Sequence, residues 1–179
     1  PHVLKAWRST GAEIVPFSPL ADDAPDASAD ALWLPGGYPE LHLARLSSNR
    51  VFIEGVRAFA ATKPVHGECG GYMALGRAII GQDGKRYPML DLLGLETSFA
   101  ERRLHLGYRR AELLSDCLLG AAGLALTGHE FHYASVMSAP DEPLFRVSNA
   151  EDEPLPERGS RRGHITGSFF HVLDCCNTF

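Results

Sequence analysis

Cys69 is the residue whose setting most suggests chemistry, because it stands between glycines in Lys63-Pro64-Val65-His66-Gly67-Glu68-Cys69-Gly70-Gly71-Tyr72-Met73-Ala74-Leu75-Gly76. Pro64 to His66 is brief and extended, whereas Tyr72 to Leu75 is compact and compatible with a helix. The segment therefore reads as strand, tight turn, helix. Gly67, Cys69 and Gly71 repeat, with a thiol, the spacing of the G-x-S-x-G nucleophile elbow, in which small neighbours let a strained backbone push one side chain clear of a sheet. The turn also sets the sulfur at a helix N-terminus, whose partial positive charge favours an anion. A glycine-flanked cysteine can equally be a small buried packing residue.

A thiol nucleophile that must later protonate a leaving amine needs a base, and histidine fits that work near neutral pH. Of the eight histidines, His171 ends the strand candidate Ile165–Phe170 and could project from the same sheet edge as Cys69. His129-Glu130-Phe131-His132 invites a metal reading, but it lacks the H-E-x-x-H spacing that sets two histidines on one helical face. In a strand, His129 and His132 point to opposite faces, so no metal site is expected. Gly81-Gln82-Asp83-Gly84-Lys85 only superficially resembles a phosphate-binding loop, and no nucleotide site is expected in this chain.

These residues must be positioned by the elements around them. Glu13–Phe17 is a strand candidate, and Ala31–Leu34 is a continuous apolar run suited to a strand covered on both faces. The run stops at Pro35-Gly36-Gly37-Tyr38-Pro39-Glu40. Two glycines at a strand's carboxyl end can offer backbone N–H groups to a ligand, at the end of an open α/β sheet where ligands bind. Ser48 or Asn49 can cap the next helix, whose Phe52, Val56 and Phe59 form an apolar stripe. The order strand, strand, helix, strand, helix predicts a doubly wound α/β sheet. From residue 84 to 112 helical periodicity fades, and Met89–Leu95, Ser98–Arg103 and Leu104–Ala111 read as extended segments of a strand-rich insertion. Leu124–Thr127 and Phe131–Met137 are further strand candidates separated by Gly128-His129-Glu130. A polar loop, Glu151–Gly163, precedes the last strand.

The 179 residues suffice for one domain with its own core, and the composition, 45% hydrophobic and 22% charged, is that of a globular protein. A net charge of -5 argues against nucleic acid as a partner. Cys69, Cys117, Cys175 and Cys176 show no C-x-x-C pairing, and we read all four as reduced thiols of a cytoplasmic protein. No apolar run approaches a membrane span. The chain opens in what looks like the last turns of a helix, without a methionine, so it reads as a piece of a longer protein.

Taken together, Gly11–Leu20, Leu34–Glu40, Gly67–Met73, Leu106–Arg109, Gly128–Tyr133 and Gly167–His171 resemble the class I (triad-type) glutamine amidotransferase domain of cobyrinic acid a,c-diamide synthases. Gly-Gly-Tyr-Pro-Glu and Gly-His-Glu-Phe-His are the segments that point to the cobyrinate branch. The resemblance implies a flavodoxin-like three-layer α/β/α fold with a mostly parallel central sheet plus the strand-rich insertion. It implies that Cys69 attacks glutamine, His171 shuttles the proton, and the N–H groups of Gly37 and Gly70 form the oxyanion hole. Gly36, Tyr72, Arg109, Glu130 and His132 are the expected substrate contacts. Ammonia would pass to an ATP-dependent synthetase domain N-terminal to residues 1–179, which would carry ATP, Mg and the corrin acid. This domain itself would need no cofactor, and a homo-oligomer is left open. Most class I members carry a glutamate two residues after the histidine, where this chain has Leu173. The cobyrinate branch tends to lack it too, so a Cys-His dyad is expected, with Asp174 and Glu130 as weak substitutes. The glutaminase of another amide-forming synthetase, or a non-catalytic assembly module on the same fold, are the alternatives.

Overall fold

In the computed structural model, which describes residues 2–175, α1 (His2–Ser9) is followed by an irregular stretch and β1 (Leu32–Leu34). Then α2 (Leu43–Leu46) and α3 (Arg50–Ala60) lead into β2 (Val65–Glu68) and α4 (Gly70–Leu75). Short strands β3 (Ala78–Ile80), β4 (Arg86–Pro88) and β5 (Glu96–Ser98) precede a long pair, β6 (His105–Leu113) and β7 (Ala125–His132). The chain continues through β8 (Ser135–Ser138), β9 (Phe145–Ser148), β10 (Pro154–Leu155), β11 (Ser160–Arg162), β12 (Ile165–Ser168) and β13 (Phe170–Cys175).

The apolar run at Leu32–Leu34 does become a buried strand, paired parallel to β2, which pairs parallel to β12. An antiparallel edge strand, β11, completes this sheet in the order β1-β2-β12-β11. The strand-rich region forms two further sheets, β4-β3-β5-β8 and β10-β9-β6-β7-β13. Parallel pairing is confined to β1–β2, β2–β12 and β3–β5 among the described residues, so the chain is α/β with a small parallel core and much antiparallel sheet.

Several local expectations change for identifiable reasons. Glu13–Phe17 forms no strand: Pro16 lacks the N–H a ladder needs, and Val15 is exposed, while Phe17 packs on Phe52 with ring centroids 6.4 Å apart. In α3 the buried stripe is Phe52, Val56, Phe59 and Ala60, as the spacing predicts. Asn49 occupies its N-cap position, but its side chain donates to the Pro19 carbonyl instead, at 2.7 Å. The cap comes from far in sequence, since Asp22 Oδ1 accepts the Phe52 N–H at 2.8 Å. Met89–Leu95 is an irregular segment that finishes α4, because Leu92 and Leu93 both donate to the Leu75 carbonyl at 3.0 Å. Gly128-His129-Glu130 is not a separator but the middle of β7. The polar stretch 151–163 contains β10 and β11, and the last predicted strand is two strands that turn at Phe169 from one sheet to another.

Two apolar clusters hold these layers. Leu32, Leu34, Val65, Val56, Leu75, Ile79, Leu93 and Phe169 belong to the larger one, under the parallel sheet and α4. Ala111, Leu113, Leu126, Phe145, Val147 and Phe170 form the second, on one face of the five-stranded sheet. Phe169 and Phe170 therefore anchor consecutive residues in different cores. No helix among the described residues is long and apolar enough to cross a membrane. Cys69 and Cys117 are unbridged, whereas the side chains of Cys175 and Cys176 lie outside the described residues.

Candidate active site

The turn after β2 has the strained geometry its glycines suggest. Cys69 has φ 50° and ψ -103°, a conformation that side-chain-bearing residues adopt only where the surroundings enforce it. Neighbouring glycines make room: a Cβ on Gly67 would lie 2.6 Å from Leu75 Cδ1, and one on Gly71 would run into the Leu34 carbonyl. Two backbone bonds fix the turn, from Cys69 N–H to the Ser168 carbonyl at 2.8 Å and from Gly71 N–H to the Pro35 carbonyl at 3.1 Å. Cys69 is 7% exposed, and its thiol donates to the Phe131 carbonyl at 3.6 Å.

His171 reaches this cysteine because β12 lies alongside β2, with Ser168 opposite Glu68. Three residues beyond Ser168, after the turn at Phe169, the His171 ring meets the Glu68 carboxylate at 2.8 Å through Nδ1. Hydrogen bonds to Cys69 and then to Glu68 hold its imidazolium up at about 10, against the opposing effect of burial. Near neutral pH the ring therefore carries a proton that it can deliver. The acid on this histidine is Glu68, so the expected dyad is a chain of three groups. Leu173 supplies none, and Glu130 is engaged elsewhere.

Gly36 and Gly37 close the site from the end of β1. A Cβ on Gly36 would sit 2.8 Å from His171 Cε1 and 3.7 Å from Cys69 Cβ, so only a bare α-carbon fits there. The Gly37 backbone crosses Gly70 so closely that a Cβ on Gly70 would be 2.5 Å from the Gly37 carbonyl oxygen. Neither the Gly37 nor the Gly70 N–H donates to an acceptor among the described residues. Two such donors beside a thiol suit an oxyanion.

The remaining expected contacts sit differently. Arg109, Glu130 and His132 form a cluster of their own: Arg109 Nε and Nη2 donate to Glu130 Oε2 at 2.9 and 2.8 Å, and His132 Nε2 meets Glu130 Oε1 at 2.8 Å. Burial alone would raise the Glu130 carboxyl, but the bonds from His132 and Arg109 outweigh it and hold it below the usual carboxylate range. Glu130 and His132 are buried and alternate in β7 with His129, which lies on the face that carries His171. Their expected contact with substrate gives way to a supporting place in the layer beneath. His132 also stacks on Phe169 at 3.7 Å, steadying the turn that delivers His171. Tyr72, another expected contact, is 2% exposed, with its hydroxyl 2.6 Å from Ser160 Oγ and its ring on Phe169, so it braces the elbow helix from inside.

Two residues escaped the sequence reading. Glu68 was hidden by adjacency, although a carboxylate at the strand's end, immediately before the elbow cysteine, was a usable signal. His129 stacks on His171 with ring centroids 4.9 Å apart and planes 11° apart. Burial, and then the neighbouring His171, push His129 below the usual histidine range, so it offers His171 a neutral ring. For a metal, His105, Glu130 and His132 have ligand atoms within 4.8 Å of one another. Arg109 already neutralises that carboxylate, and the Ala134 carbonyl takes His132 Nδ1 at 2.9 Å. Those partners leave a cation poorly matched to the group.

A thiol on a strained turn, a protonated histidine held by a carboxylate, and two unused N–H groups together suit acyl transfer through a thioester. Residues 4–175 match the CobB/CobQ-like glutamine amidotransferase domain, and the chain belongs to that family. It is 56% identical over 173 residues to the hydrogenobyrinate a,c-diamide synthase of Rhodobacter capsulatus, and 55% over 174 residues to that of Mesorhizobium japonicum. The Agrobacterium fabrum protein of the same name is 51% identical over 174 residues. In each case 97% of this chain is covered but only 40% of the relative's length. Among solved structures, a glutamine amidotransferase superposes with a TM-score of 0.60 at 20% identity, covering 93% of this chain and 82% of that one, a likeness of fold.

Proposed function

We propose that this chain is the glutaminase part of a longer ligase that amidates carboxylates of a corrin acid with ammonia drawn from glutamine. The observation that carries the reading is the Cys69–His171–Glu68 series at a positive-φ turn beside the Gly37 and Gly70 N–H groups, which meet no acceptor among the described residues. In this reading the Cys69 sulfur attacks as the thiolate paired with the His171 imidazolium: its bond to the amide carbon of glutamine forms, and the carbonyl electron pair moves to oxygen, where Gly37 and Gly70 receive the charge. His171 gives its proton to the amide nitrogen, the C–N bond breaks, and ammonia leaves a thioester behind. Water then attacks the thioester carbon as the now neutral His171 takes one of its protons, the C–S bond breaks, glutamate departs, and the Cys69 thiolate is left beside the imidazolium. Glu68 holds the imidazole in the orientation and charge state that both steps require.

The name of the relatives supports hydrogenobyrinate as the acid and its a and c carboxylates as the groups amidated. Residues 1–179 form the amidotransferase domain, C-terminal to an ATP-dependent synthetase domain that binds ATP, Mg and the corrin acid, in a cytoplasmic protein. The test uses the full-length protein and the glutamine-like electrophile 6-diazo-5-oxonorleucine. Cys69 should be the residue modified, with glutamine-dependent amidation lost and ammonia-dependent amidation retained. Modification at Cys117, Cys175 or Cys176, or equal loss of both activities, would overturn the reading.

A further inference from the structure

The five-stranded sheet turns one face outward around His171. Register sets Leu106 opposite Phe131, Tyr108 opposite His129, and His129 opposite His171. Residues directly opposed across strands share a face, as the ring stack of His129 on His171 bears out. Leu106, Tyr108 and Phe131 therefore lie on the face that presents the histidine beside Cys69. Tyr133 extends it, its ring edge-on to Phe131 at 5.8 Å. The opposite face is spent on the second core. Leu106 is nevertheless 61% exposed and Tyr108 73%, in the first half of a nine-residue strand where polar residues would be better solvated. A contiguous aromatic and aliphatic patch of this kind marks a docking surface.

We propose that this face is covered by the rest of the full-length chain, the synthetase portion corresponding to what the relatives possess beyond the 40% of their length matched here. The inference rests on the proposed function. Ammonia released at Cys69 is useful only if it reaches the acceptor before dissolving in water, so the second reaction site must approach the side on which His171 stands. Arg110, on the same face of β6, and Arg102, over the Tyr133 ring at 5.4 Å, give the patch the polar rim of an interface around an apolar centre. A second copy seated here would close the site without offering an acceptor for ammonia.

Replacing Tyr108 by p-benzoylphenylalanine in the full-length protein and irradiating it should join residue 108 to peptides outside residues 1–179, in a species of monomer mass. A crosslinked dimer, crosslinks confined to residues 1–179, or no crosslink would each overturn the proposal. In parallel, Leu106→Glu with Tyr108→Glu should raise the glutamine hydrolysed per amide formed roughly tenfold, since disrupting a central interface residue commonly costs more than a tenfold equilibrium factor. Ammonia-dependent amidation should stay unchanged. An unaltered ratio would refute the surface. Cys69→Ser separates the two ideas: if it spares glutamine-dependent amidation, the glutaminase reading itself fails, whatever the crosslink shows.

Discussion

Gly36→Ala is the sharpest probe of the site, because its effect can be worked out from one contact. The added methyl would stand 2.8 Å from His171 Cε1, whereas carbon atoms rest at about 3.5–4.0 Å. Either the loop or the imidazole must retreat by about 1 Å. The ring is not free to do so, since Glu68 holds Nδ1 at 2.8 Å and His129 stacks on its face. The loop cannot withdraw cheaply either, because Pro35 accepts the Gly71 N–H and Gly37 rests against Gly70. A misplacement of about 1 Å between reacting groups costs roughly a hundredfold in rate, equivalent to about 2.7 kcal/mol of barrier. Steady-state kinetics of the full-length protein, with glutamine and with ammonia as nitrogen donors, would read this directly. We expect kcat with glutamine to fall by roughly two orders of magnitude while the ammonia-supported rate holds. A variant with unchanged glutamine turnover would show that the Gly36 contact does not position His171, and the argument from proximity would fail.

Other perturbations test neighbouring links. Glu68→Gln removes one of the two bonds that raise the His171 pKa, so the alkaline limb of the glutamine-dependent rate should shift to lower pH and kcat should drop at least about tenfold. His129→Ala should slow glutamine turnover by about three- to tenfold, the worth of a stacked ring, and His129→Phe should restore most of it. Tyr72→Phe strands the buried Ser160 hydroxyl and should lower stability in urea by about 1–3 kcal/mol, without changing the rate of Cys69 labelling. Burial depresses His66 to about 3, so the unfolded chain takes up a proton first as pH falls below about 6.5. Stability should therefore drop by up to about 2 kcal/mol from pH 7 to pH 5 through this residue, and urea titrations of His66→Phe should show a correspondingly smaller acid loss.

Much of the candidate site's geometry was legible in the chain because it rests on local contacts. The glycines around Cys69 are required by contacts within a few residues and by one close strand, so their spacing announces the turn. The amphipathic stripe of α3 and the apolar run of β1 are likewise periodic signals that burial merely uses. His171 could be nominated because it stands at the carboxyl end of the last strand candidate, from which it could project at the same sheet edge as Cys69. What the chain did not disclose depends on pairing between distant segments. Glu68 becomes the acid only because β12 lies parallel to β2 and the backbone turns at Phe169, carrying residue 171 back to residue 68. The resemblance implies Arg109, Glu130 and His132 as substrate contacts, yet strand alternation in β7 places Glu130 and His132 on the buried face and His129 on the face that carries His171. Which of two alternating faces meets solvent is a property of the sheet packed beneath, and the second core around Phe145 and Phe170 decides it. Local residue types thus determined which chemistry was available, and long-range register determined which side chains meet to perform it, because a one-residue change of face exchanges every contact a strand makes.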